Sequence, residues 1–158
     1  IFHTGRSNGL VREAIVTGVI RELQGYAVLT AEVPAGEGSR VDFLLTGHAA
    51  QPDCYLEVKN VTAAVEEGIA LFPDAVSERA SRHLRELMAK AAAGHRAMLC
   101  FCVQRDDVQE VRPADAIDPL YGRSLRAAMQ QGVEVCAYGA RVRPDEVTVY
   151  RKLQVNIE

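Results

Sequence analysis

Acidic residues interrupt two runs that otherwise read as core strands, VDFLL at 41–45 and CYLEVKNV at 54–61. Alternation along a strand sends Tyr55, Glu57 and Lys59 to one face and Cys54, Leu56 and Val58 to the other. The carboxylate and the ammonium therefore stand about 7 Å apart and point the same way. A hairpin whose loop is centred between Ala49 and Ala50 sets Asp42 opposite Glu57. Opposed side chains on neighbouring strands lie about 5 Å apart at Cβ, where like charges repel unless a cation sits between them. Hard oxygen ligands with no His or Cys beside them suit Mg2+ or Mn2+ rather than zinc. The competing reading is a solvated sheet face carrying a cross-strand ion pair worth about 0 to 1 kcal/mol.

A third acid, Glu13, falls on a helix read over Asn8–Leu23, with Ser7 or Asn8 to cap it and Gly25 to end it. At about 100° per residue it lies within roughly 20° of Ile20 and roughly 60° of Leu10, on a helix that is apolar almost all round. Two readings stand side by side. Glu13 is an extra metal ligand or water-holding acid, or it sits at the helix edge paired with Arg40 or another base.

The elements that must position these groups follow from period and punctuation. Short β-rich runs cover Val28–Val33, Val41–Leu45 and Cys54–Val61, divided by the turn-forming PAGEGS and TGHAAQPD. Gly36 and Gly38 belong to a flexible loop rather than a phosphate-binding fingerprint, because a strand follows. An amphipathic helix spans about Ala75–Ala93, with Val76, Ala80, Leu84, Leu87, Met88 and Ala91 as its apolar stripe. Arg79, His83 and Lys90 gather at one margin of that stripe, which fits either a phosphate backbone or a solvated face partly neutralised by Glu86. His83 also reads as a satisfied packing residue. The run AMLCFCV has the composition of a strand buried on both faces. A helix at Pro119–Gln131 and strands at Val133–Arg141 and Val147–Leu153 complete an order that predicts a mixed sheet with helices on its faces.

At 158 residues, 48% hydrophobic and 25% charged, the chain fits one soluble domain with a substantial core. No apolar run approaches the roughly 18 residues of a membrane span. The net charge of -3 supplies no global attraction to nucleic acid, so any such binding needs a local patch. Cys54, Cys100, Cys102 and Cys136 lack paired CxxC spacing and read as reduced core thiols, which points to a reducing cytoplasm. The opening IFHTGRSNG carries no signal peptide and no initiator Met, as expected of a fragment. Sparse aromatics and the absence of Trp disfavour a sugar-binding role.

A helix acid, a strand Asp, an E-x-K strand and a base-bearing helix together resemble the PD-(D/E)xK nuclease superfamily. The strings SRVDFLL, PDCYLEVKNVT and FPDAVSERASRHLRELM more closely resemble the sugar fermentation stimulation protein A (SfsA) family, over about Asn8 to Val155. The resemblance implies a restriction-endonuclease-like α/β fold, a three-layer αβα arrangement of one mixed β-sheet flanked by helices. It implies catalytic roles for Glu13, Asp42, Glu57 and Lys59, with Asp42, Glu57 and Glu13 as ligands of Mg2+ or Mn2+. Pro52-Asp53 lies in the turn before the strand, so Asp42 is the better ligand despite the motif's name. Arg40, Arg79 and His83 are the substrate-binding candidates. The expected activity is metal-dependent hydrolysis of DNA, or of RNA, in the cytoplasm and away from membranes. The alternative is a DNA-binding regulator of sugar (maltose) metabolism that cleaves nothing. Members of the family are also expected to carry an N-terminal OB-like domain, to which nothing in residues 1–158 corresponds.

Overall fold

The computed structural model describes residues 4–36, 39–62 and 64–157. Its elements are α1 (Thr4–Val16), β1 (Val28–Gly36), β2 (Ser39–Thr46), β3 (Cys54–Val61), β4 (Ala64–Glu66), β5 (Ile69–Phe72) and α2 (Glu78–Ala92). They continue with β6 (Arg96–Val103), β7 (Glu110–Pro113), α3 (Pro119–Gln130), β8 (Glu134–Val142) and β9 (Val147–Val155). One mixed sheet runs in the order β1-β2-β3-β6-β8-β9-β7-β5-β4. Its centre is the parallel trio β3, β6 and β8. β6 is the run AMLCFCV expected to be buried on both faces, and its side chains alternate between two cores.

Those cores lie on opposite sides of the sheet. Leu10, Val11, Ala14 and Ile15 of α1 pack with Leu56, Val58, Met98 and Cys100 on one side. Leu84 and Leu87 of α2 and Tyr121 and Leu125 of α3 pack with Leu99, Phe101 and Ala137 on the other. The result is the three-layer αβα arrangement. All four cysteines are free and buried. No described helix is long and apolar enough to cross a membrane.

Several boundaries differ from the sequence reading. The first helix stops at Val16 instead of running to Leu23, because Gly18 turns the backbone left-handed at φ 87°. A separate 3-10 turn, Arg21–Leu23, follows. The Gln24 amide donates to the freed carbonyls of Ile15 and Ile20 and fixes the break. Ser7 and Asn8 lie inside α1 rather than capping it. Val76 precedes α2 and is exposed, so it drops out of the apolar stripe, whereas Ala80, Leu84 and Leu87 are buried as expected. The short strands β4, β5 and β7 escaped the reading because strands of three or four residues carry too few periods to register. Gly38 falls outside the described residues.

Capping explains where α2 and α3 begin. The Ser77 hydroxyl accepts from the Ala80 amide at 3.0 Å. Asp118, itself buried, accepts from the Tyr121 amide at 3.0 Å and from the Ser77 amide at 2.9 Å. One carboxylate therefore caps α3 and holds the residue that caps α2.

Candidate active site

β2 and β3 pair antiparallel with Leu45 opposite Cys54, Leu44 opposite Tyr55 and Phe43 opposite Leu56. The next step in this register is Asp42 opposite Glu57, as expected from a loop centred between Ala49 and Ala50. Pairing ends at Phe43–Leu56, and the strands part beyond it. The Asp42 side chain fills the fork. One of its carboxylate oxygens, Oδ2, accepts from the Val58 amide at 2.8 Å, replacing the backbone acceptor that β2 no longer offers. The other, Oδ1, accepts from the side-chain amide of Asn8 on α1 at 3.0 Å.

Glu57 and Lys59 project to the α2 side of β3, away from Leu56 and Val58 in the α1-side core. Glu57 Oε2 lies 3.2 Å from Lys59 Nζ and 2.8 Å from His83 Nδ1. Lys59 Nζ and His83 Nδ1 are 2.6 Å apart. These three atoms form a triangle in the sheet-facing wall of α2. Nδ1 carries either a hydrogen or a lone pair, so it can donate to Glu57 or accept from Lys59, but not both at once.

The two carboxyls have opposed tendencies. Burial and the neighbouring charge of Glu57 push the Asp42 carboxyl above its ordinary range. Burial also works to raise Glu57, but the hydrogen bond from His83 and the charge of Lys59 outweigh it and hold Glu57 below the usual carboxylate range. Such divergence between adjacent acids is a recurring sign of a working site.

A cavity of about 320 Å3 opens onto this group, lined by Asp42, Glu57, Lys59, Asp74, Arg79 and His83 among others. It is smaller than the cavity of about 700 Å3 between Arg21 and Tyr150, but it is where the chemistry-bearing side chains converge. The Ser77 end of α2 also borders it.

The remaining expected residues are placed differently. Glu13 is exposed and does not line the cavity. Its expected alignment with Ile20 relied on a helix continuous through Leu23, and the break at Gly18 removes it. The α1 residue that reaches Asp42 is Asn8. Arg40 is exposed and donates to the Glu32 carbonyl at 2.9 Å, without lining the cavity. Its paired partner is thus a backbone carbonyl rather than Glu13. Arg79 lines the cavity with an exposed side chain. His83 faces it but is buried against the Glu57–Lys59 pair.

Asn8 went unnoticed because its type and position match an N-cap, and only the tertiary structure shows it inside the helix. Among the described residues, no three His, Cys, Asp or Glu side chains converge as a metal-holding set. The acidic donors lining the cavity are the carboxyls of Asp42, Glu57 and Asp74, all hard oxygen ligands.

A mixed sheet between helical layers, with an acid in the fork of two strands and an acid–lysine pair beside it, defines a restriction-endonuclease-like α/β domain. The family profile described as "Sugar fermentation stimulation protein RE domain" matches residues 5–146. The chain belongs to the sugar fermentation stimulation protein family. The sugar fermentation stimulation protein homolog of Thioalkalivibrio sulfidiphilus is 58% identical over 156 residues, 98% of this chain and 65% of that protein. The homolog of Citrifermentans bemidjiense is 56% identical over 153 residues, 97% of this chain and 65% of that protein. The solved structure of Pyrococcus furiosus SfsA in complex with Ca2+ superimposes with a TM-score of 0.86 at 30% identity, covering 96% of this chain and 65% of that one. The chain thus spans 65% of the length of these relatives.

Proposed function

We propose that the domain is a metal-dependent nuclease that hydrolyses phosphodiester bonds of DNA or RNA. The observation that carries this reading is the buried approach of Asp42 and Glu57 in the fork between β2 and β3, with Lys59 beside them. Two acids so placed are relieved either by a proton or by a hard cation. Their oxygen donors fit Mg2+ or Mn2+, which retains water ligands and needs few protein groups. Asp42, Glu57 and the Val58 carbonyl would hold the ion; Glu13 is too exposed to join them. The Ca2+ complex of the Pyrococcus furiosus relative supports a hard-cation reading.

When bound, the cation would supply Lewis-acid polarisation of the phosphoryl group and a more acidic water. The protein's own groups do the rest. Lys59 presents an ammonium to the charge that develops on the phosphoryl oxygens. His83 accepts a hydrogen bond from Lys59 once Glu57 is engaged elsewhere, and so keeps the amine aimed into the cavity. The N-terminal turn of α2 and Arg79 offer amide dipoles and a guanidinium to a flanking phosphate. The four buried free thiols suit a reducing, cytoplasmic setting.

The test is incubation of the chain with single- and double-stranded DNA and RNA in Mg2+ or Mn2+. Cleavage that disappears with chelator and in Asp42→Ala and Lys59→Ala supports the nuclease. Metal-independent DNA binding without cleavage replaces it with the regulator of sugar metabolism.

A further inference from the structure

We infer that the site takes a nucleic-acid strand that continues in both directions, with Arg12 gripping a phosphate on one side of Asp42 and Arg79 on the other. The inference rests on the nuclease reading and extends it to the form of the substrate. Asp42 lines two cavities. One, of about 320 Å3, contains Glu57, Lys59 and Arg79. The other, of about 350 Å3, lies between α1 and the β1–β2 hairpin and contains Asn8, Gly9, Arg12 and Glu32. The first opens toward α2 and the second toward α1, the helices of opposite layers. The Asp42 carboxylate, seated in the fork between β2 and β3, is the wall that both cavities share.

Each cavity has one exposed arginine on its rim, and no hydrogen bond or ion pair engages either guanidinium among the described residues. Space beside Gly9 is open, with no atom within 4 Å of where a side chain would begin, so the α1 cavity admits a backbone. A mononucleotide or a strand end would need one of these arms; a strand running through uses both. The acids Glu32, Asp42, Glu57 and Asp74 outnumber Arg12, Lys59 and Arg79 along this path, so a polyanion enters only with a divalent cation present.

Two measurements test the inference. The first is anisotropy of a fluorescein-labelled single-stranded oligodeoxynucleotide in Mg2+, with Lys59→Ala as the common background to prevent turnover. Adding Arg12→Ala or Arg79→Ala is expected to weaken binding about tenfold and to lower the slope of log affinity against log salt by about 0.7. Arg105→Ala, at an exposed site paired with Asp107, is the control and leaves both unchanged. The second is digestion of circular single-stranded DNA, which the unsubstituted chain is expected to cut. An Arg12→Ala variant that matches its parent in affinity and slope overturns the inference, as does digestion restricted to strand ends, while both leave the nuclease reading standing. Failure of the Lys59→Ala parent to bind, together with failure of the unsubstituted chain to cut, any nucleic acid in Mg2+ or Mn2+ overturns both.

Discussion

Replacing Asp42 with asparagine is expected to reverse the order of stability between variant and wild type according to whether a divalent cation is present. Without metal, two carboxylates about 5 Å apart repel by about 1–3 kcal/mol between the limits of water-like and partly buried surroundings. The substitution removes that repulsion. It keeps an oxygen to accept the Val58 amide, but as a neutral acceptor, which costs about 0.5–1 kcal/mol. The new NH2 finds a partner, because Asn8 Oδ1 is buried without one and becomes available when the Asn8 amide turns over.

The net expectation in chelator is a gain of about 1 kcal/mol, or a rise in Tm of about 2–4 °C. With Mg2+ at a hundred times its Kd, wild type gains about 2.7 kcal/mol and the variant little, so the order inverts. The pH dependence has a definite sign. The folded-state pKa of Asp42 is raised, so its contribution to metal-free stability is present below the unfolded carboxylate range and lost as pH rises through the raised value. The advantage of Asp42→Asn in chelator should therefore grow over that interval. Thermal unfolding in chelator and in Mg2+ across the acid range measures all three effects. A variant less stable than wild type in chelator at neutral pH, with an equal Mg2+ response, would refute the reasoning.

Other outcomes are expected at neighbouring positions. His83→Asn keeps an acceptor where Nδ1 stands and should retain cleavage within about threefold, whereas His83→Gln, which places its polar group further out, should lower kcat about 100-fold with KM little changed. Lys59→Ala should abolish cleavage yet strengthen the Mg2+-induced rise in Tm, since its ammonium competes for the Glu57 carboxylate in the free protein. Glu13→Ala should leave cleavage unchanged and stability within about 0.5 kcal/mol, as for most exposed positions. Asp118→Ala removes a cap from α3 and strands the half-buried Ser77 amide, and should cost about 2–3 kcal/mol in a denaturant titration.

The sheet's centre was legible in the amino-acid order because β2, β3 and β6 carry strong patterns. Tyr55, Glu57 and Lys59 alternate against Leu56 and Val58, and the loop length set the register that faces Asp42 toward Glu57. Glu13 lies away from the cavity for an identifiable reason. Its assignment depended on angular position along an unbroken helix, and one left-handed glycine ended that helix about two turns early. The contacts of Asn8 and the burial of His83 arise between elements far apart in sequence, where no local period reports them. The cavity shared through Asp42 is likewise a property of how α1 and the β1–β2 hairpin pack.

The acid in the strand fork has a mechanical duty besides any chemical one. It stoppers a gap in the ladder by satisfying a main-chain donor that would otherwise be orphaned. A descendant that abandoned hydrolysis would still be selected to keep an acid or an amide there, so finding one says little about turnover. The amine at Lys59 has no comparable duty toward the backbone, and its loss would be the more telling sign that a relative has become a binding protein.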